Sequence, residues 1–125
     1  MTDKVIFTGR IPFEKLSEYT VHADIGINLL ENRGLNYYYS LPNRIFDYIR
    51  ENIPVLATDF PEVNKIITRY NVGTLINNYD PQFLASTIKQ MSLKEKNLSD
   101  FETANAELCW ENESQVLLEV MKNAV

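Results

Sequence analysis

Short apolar runs alternate with helical stripes through most of the chain, and this alternation restricts the fold more than any other feature. Val5-Ile-Phe-Thr-Gly9 reads as a strand closed by glycine, and Phe13, Leu16 and Tyr19 share one face of a helix predicted over 12–21. Asp24 to Leu30 reads as a second strand, apolar at more than alternate positions and so expected to be buried on both faces. A tyrosine-rich loop from Glu31 to Tyr39 leads into a helix that starts near Ser40 or Pro42 and runs to about Glu51, with Ile45, Phe46 and Ile49 inward. Pro54 to Thr58 is the third strand. Asp59-Phe-Pro-Glu62 has the spacing of a capping box, with proline in the first turn of a helix reaching Tyr70. Val72 to Ile76 is the fourth strand, Asn77 to Asp80 a turn, and Pro81 to Ser92 a helix carrying Phe83, Leu84, Ile88 and Met91.

From Leu93 onward there is no glycine, no proline and no strand run. Two helices fit, about 94–108 and 111–124, the second with a stripe of Val116, Leu117, Val120, Met121 and Ala124. The pattern predicts an α/β fold: a Rossmann-like parallel sheet of about four strands covered by helices, then a C-terminal helical tail. One domain over 1–125 is expected, with an α/β part at 1–92 and helices at 93–125.

Composition removes several functions. With 45% apolar residues the chain can fill a core, and one cysteine and one histidine provide neither a disulfide framework nor a zinc-type ligand set. Twelve basic residues, scattered among seventeen acidic ones, make no stripe for nucleic acid. Met1-Thr-Asp-Lys4 lacks the pattern of a signal peptide and no apolar stretch reaches membrane-spanning length, so a cytoplasmic location is expected.

In parallel sheets, ligands sit beyond the carboxyl ends of the strands, where helix N-termini present unpaired N–H groups. Those places are Gly9-Arg10-Ile11, Glu31 to Arg44, Thr58 to Pro61 and Asn77 to Asp80. The second holds Glu31, Gly34, Tyr37 to Tyr39, and Ser40, a good N-cap ahead of Pro42-Asn43-Arg44. Such a helix start suits a diphosphate, with Arg44 supplying charge and Asp47, three residues on, accepting from a ribose diol. The bland reading of the same residues is plain capping and an Arg44–Asp47 surface pair. Bland readings also fit His22 as a surface or capping residue, Cys109 as a small buried hydrophobe, Glu62 as a capping residue, and the 116–121 stripe as core. Tyr37 to Tyr39 fit either an aromatic wall or a loop packed on another domain.

Ser40-Leu-Pro-Asn-Arg-Ile-Phe-Asp-Tyr-Ile49, followed by Asn52-Ile-Pro-Val-Leu-Ala-Thr58, resembles the donor-binding segment of the retaining GT-B glycosyltransferases, S-x-P-x-K-(l)-(f)-E-Y-(l)…G-x-P-V-(i)-A. Val5 to Gly9 resembles that family's v-x-F-x-G strand, Ala23-Asp-Ile-Gly-Ile27 its a-D-v-x-l strand, Tyr70-Asn-Val-Gly73 its y-x-v-G, and Trp110-Glu111 its closing w-e. The resemblance implies a nucleotide-sugar donor site in an enzyme passing a sugar from a UDP- or GDP-linked donor to a glycan or lipid-linked acceptor, as in bacterial polysaccharide and cell-envelope biosynthesis. It implies ribose binding by Asp47, diphosphate binding by Pro42, Asn43 and Arg44, a catalytic Glu31 with Gly34 against the donor sugar, and Gly9, Arg10 and Ile11 against the base. It implies no metal and no cofactor besides the donor.

The chain departs from the family in two ways. Glu31 and Asp47 are sixteen positions apart because of the insertion carrying the three tyrosines, where the family has E-x-x-x-x-x-x-x-E. The family's earlier strand–helix–strand unit, with its phosphate-binding basic residue, and its acceptor domain have no counterpart here. The isolated chain is therefore expected to be inactive, and the complete enzyme to associate peripherally with a membrane. A sheet lacking those strands would leave a gap beside strand 24–30, so either strand 4–9 moves in or two chains associate across it. The rival expectation is a non-catalytic α/β interaction module using the tyrosine loop and terminal helix. A receiver-type domain would need acids after the first strand, where Gly9-Arg10 stands.

Overall fold

A computed structural model describes residues 4–124. Three parallel strands form its sheet: β1 (Gly26–Asn28), β2 (Val55–Thr58) and β3 (Gly73–Ile76), in the order β1-β2-β3. Gly26 lies beside Val55, and Val55 beside Gly73, so both flanking strands begin on a glycine. β2 carries no polar side chain before its last residue and is buried at all four positions, as a central parallel strand must be. Helices α1 (Phe13–Thr20), α2 (Leu35–Tyr38) and α3 (Asn43–Arg50) surround β1 in the chain. Helix α4 (Pro61–Tyr70) links β2 to β3, and α5 (Pro81–Leu93), α6 (Leu98–Glu107) and α7 (Trp110–Asn123) follow.

The core lies where α3 and α4 cross one face of β2. Ile45 and Ile49 of α3, one turn apart, meet Val55 and Ala57 of β2 and Val63 and Ile67 of α4. α6 completes the layer by burying Phe101 and Ala104 in the same cluster. It is therefore an integral part of the core rather than a tail. Asn71 ends α4 in the left-handed conformation and donates to Asp100 of α6 at 3.1 Å. Asn105 of α6 donates to Ile49 O at the end of α3, at 3.1 Å.

Four expectations are corrected. The sheet has three strands, because residues 5–9 join no ladder and leave Val5, Ile6 and Phe7 58%, 83% and 93% exposed. Neither does that segment pair with β1, so it does not fill the gap. A strand is a pairing and not a local conformation, and an apolar run alone supplies only one side of it. Second, β1 is an edge strand of three residues whose Ile27 stays 44% exposed, not a strand buried on both faces.

Third, the stripe on α7 is not core: Val116, Leu117, Val120 and Met121 are 49–60% exposed, and no residue of α7 is buried. Its periodicity is real, but nothing among the described residues lies over it. Finally, the capping box does not close. Phe60 is the N-cap of α4, Asp59 instead accepts from Asn64 Nδ2 at 2.7 Å, and Glu62 pairs with Lys65 at 2.7 Å. The helix starts one residue too late for Asp59 to reach the third amide.

Candidate nucleotide-sugar site

Parallel order puts the exits of β1, β2 and β3 on one edge of the sheet, and α3, α4 and α5 each start from that edge. Side chains tie these exits together. Leu30 N–H donates to Thr58 Oγ1 at 2.9 Å, and the Thr58 hydroxyl lies 3.2 Å from Leu30 O and 3.0 Å from Tyr79 Oη. Tyr79 in turn donates to Leu30 O. One threonine at the end of the central strand thus holds the loop after β1 against the loop after β3. In the sequence Thr58 is the end of a predicted strand and Tyr79 lies within the Asn77–Asp80 turn, both at the expected ligand-bearing edge but with no contact between them foreseen. The available signal was a buried strand ending in threonine, a hydroxyl that must find partners.

The loop between β1 and α3 carries most of the expected site residues. Glu31 accepts from Arg33 Nε at 2.6 Å, both side chains exposed. Gly34 is in extended backbone and caps the single turn of α2. Tyr38 packs against Phe60, ring centroids 5.4 Å apart, and against Tyr39 edge to face at 4.9 Å. Tyr38 therefore anchors the loop to the start of α4, while Tyr37 and Tyr39 stay 44% and 58% exposed.

α3 opens differently from the expected pattern. Pro42, not Ser40, is its N-cap, and the Ser40 hydroxyl donates backward to Tyr37 O at 2.8 Å. Proline brings no side-chain acceptor, so α3 begins without a side-chain cap. Asn43 and Arg44 are its first two residues, both exposed, and Arg44 has no acidic partner among the described residues. The helix N-terminus thus presents backbone N–H groups and one guanidinium toward solvent at the carboxyl edge of the sheet.

Asp47 is one turn further on. It faces Arg50, 3.7 Å away, rather than Arg44, so the expected Arg44–Asp47 pair does not form. With Arg50 and Glu51 it lines a cleft of ≈ 170 Å³ against Phe13, Leu16, Ser17 and Thr20 of α1. Its side chain remains about one-third exposed and is not packed in hydrocarbon. Gly9, Arg10 and Ile11 precede α1, and Gly9 takes a left-handed φ of 69°. They do not line the Asp47 cleft.

Glu31, Gly34 and Pro42 thus lie on the loop after β1, and Asn43 and Arg44 on the first turn of α3. Asp47 instead lines the α1–α3 cleft with Glu14, Arg50 and Glu51, toward the end of α3, and none of those five residues lines that cleft. Among the described residues, no group of three His, Cys, Asp or Glu is placed to hold a metal ion, and no helix is long and apolar enough to cross a membrane. His22 is on the surface after α1, and Cys109 is a half-buried residue joining α6 to α7 rather than a helical core residue. Comparison with protein-family models, with curated proteins and with solved structures finds no match.

Proposed function

We propose that this chain is the nucleotide-sugar donor-binding part of a GT-B-type glycosyltransferase. The observation that carries the reading is the uncapped start of α3, with an exposed Arg44 that has no acidic partner among the described residues, at the carboxyl edge of a parallel sheet. On this reading the three strands belong to a Rossmann-like sheet. The amides of Asn43 and Arg44 and the Arg44 guanidinium hold the donor diphosphate, while Pro42 sets the turn. Asp47 takes the ribose diol by exchanging its exposed contact with Arg50, an interaction of low intrinsic strength, for two hydroxyl donors. Glu31 and Gly34 face the donor sugar, and Gly9 and Arg10 lie against the base.

The donor is a UDP- or GDP-sugar, the acceptor a glycan or lipid-linked glycan of the bacterial envelope, and the enzyme works at the cytoplasmic side of a membrane. Departure of the diphosphate is assisted by the helix dipole and Arg44 without a metal. Transfer itself requires an acceptor domain, so residues 1–125 bind donor without turning it over.

Calorimetry of the chain with UDP-, GDP- and ADP-sugars tests the reading. Binding of one nucleotide class, lost in Arg44→Ala and Asp47→Ala with the fold intact, is expected. Absence of binding to all three, or unaltered binding in Asp47→Ala, removes the assignment. The exposed apolar face of α7 favours a second reading, a protein-interaction module, which predicts no thermal shift with UDP or GDP.

A further inference from the structure

Two unsatisfied elements in this chain have matching chemistry. β1 pairs with β2 on one side only; no strand covers its other edge, where the Ile27 carbonyl accepts from the Tyr48 hydroxyl at 3.4 Å and Ile27 is 44% exposed. Residues 5–10 lie in no helix or strand, and Val5, Ile6 and Phe7 form a contiguous exposed apolar run. Open edges and exposed apolar strand-formers are each unfavourable alone, and a single pairing removes both. Within one chain they do not meet.

We propose that a second copy of this chain supplies the pairing: residues 4–10 of each copy add as a parallel strand to the free edge of β1 in the other. Charge selects this occupant. The run Val5 to Gly9 is bounded by two cations, Lys4 and Arg10, whereas the run Ile25 to Leu30 is bounded by two anions, Asp24 and Glu31. Setting Val5 beside Ile25 in parallel brings Lys4 to Asp24 and leaves Arg10 one residue from Glu31. Antiparallel pairing would give the same charges no better match and would break the uniform strand direction of the sheet.

The register also sorts the side chains. Ile6 falls beside Gly26, whose face is covered by the Tyr48 ring, and the incoming strand replaces the Tyr48 hydroxyl as donor to the Ile27 carbonyl. Val5 and Phe7 fall on the opposite face, with exposed Ile27. Arg33, which now holds Glu31, is itself exposed and yields the carboxylate to Arg10. Because the exchange is reciprocal, the interface is two-fold and each copy contributes the same patch. The apolar surface of residues 5–7 in both copies, with the matching surface it covers, is on the order of 1,500 Å², the size of a stable interface.

Sedimentation velocity of the whole chain provides the test, at concentrations up to roughly 100 µM. A dimer is expected for the natural sequence. Phe7→Asp should be monomeric with an unchanged far-ultraviolet spectrum, since a side chain 93% exposed contributes nothing to the monomer's core. Lys4→Glu should weaken the dimer about tenfold, and adding Asp24→Lys should restore it. A monomer throughout the range overturns the proposal, as it would if the segment paired with its own β1. So does a dimer that Phe7→Asp leaves intact, which would place association on α7. Arg10 and Glu31 serve the proposed donor site as well, so the dimer and the donor compete for them; the sedimentation is run without nucleotide, and its outcome does not decide whether donor binds.

Discussion

Thr58 Oγ1, at the end of the central strand, accepts the Leu30 amide at 2.9 Å while lying 3.0 Å from the Tyr79 hydroxyl. The residue is 4% exposed, and without its hydroxyl the Leu30 amide loses its partner while Tyr79 keeps only its bond to Leu30 O. Thr58→Val keeps the shape and removes the hydroxyl. It should lower stability by about 1–3 kcal/mol in urea denaturation, and should raise amide exchange at Leu30 before that of the strand centres.

Gly26 and Gly73 are both closed to a side chain, for different reasons. A Cβ at Gly26 would lie 2.4 Å from the Tyr48 ring, and one at Gly73 would lie 2.1 Å from the carbonyl oxygen of Val55. A ring can tilt, whereas a ladder carbonyl in the central strand cannot move without breaking the pairing. Gly73→Ala should therefore be the costlier change, beyond about 3 kcal/mol. Gly26→Ala should cost less and recover in part when combined with Tyr48→Leu, measured as a double-mutant cycle.

Tyr70 is buried between α4 and α6, and burial, with a hydrogen bond to Glu107, holds its phenol above the ordinary tyrosine range. A raised folded-state value means that the folded form keeps its proton when the unfolded form has lost it. The associated stability is complete below about pH 10 and disappears as pH rises through the folded value. Chemical denaturation should show a loss of stability above about pH 10 that Tyr70→Phe reduces.

Asp47 and Arg50 form a half-exposed pair at 3.7 Å. Asp47→Asn should change stability by less than about 1 kcal/mol. If the donor reading is right, the same substitution weakens sugar-nucleotide binding at least tenfold, or about 1.4 kcal/mol. The contrast between the two measurements separates a binding role from a structural one.

Much of this was legible in the residues. Val55 to Thr58 announced a buried strand by its unbroken apolar content, and Ile45 and Ile49 announced the inner face of α3 by their spacing. Pro81 marked the start of α5, and the structure adds the cap: the Asp80 carboxylate accepts from the Phe83 amide. Local chemistry determines such features, because helix period, cap and proline all act within a few residues. The site was legible only as a segment. That Pro42 rather than Ser40 would cap α3, and that Asp47 would turn to Arg50, depends on where the helix begins to the nearest residue.

The sequence by itself determined the alternation of elements, the parallel sense of the sheet and the placing of Glu31 to Arg44 at its carboxyl edge. These follow from periodicity and from the crossover that joins parallel strands through helices. Tertiary structure alone decided which apolar runs find a partner. Val55 to Thr58 gains two neighbours and is wholly buried, Val5 to Phe7 gains none, and the α7 stripe remains in solvent. The physical reason is that apolar periodicity specifies a face to be covered, whereas the cover is supplied by residues far along the chain or on another copy.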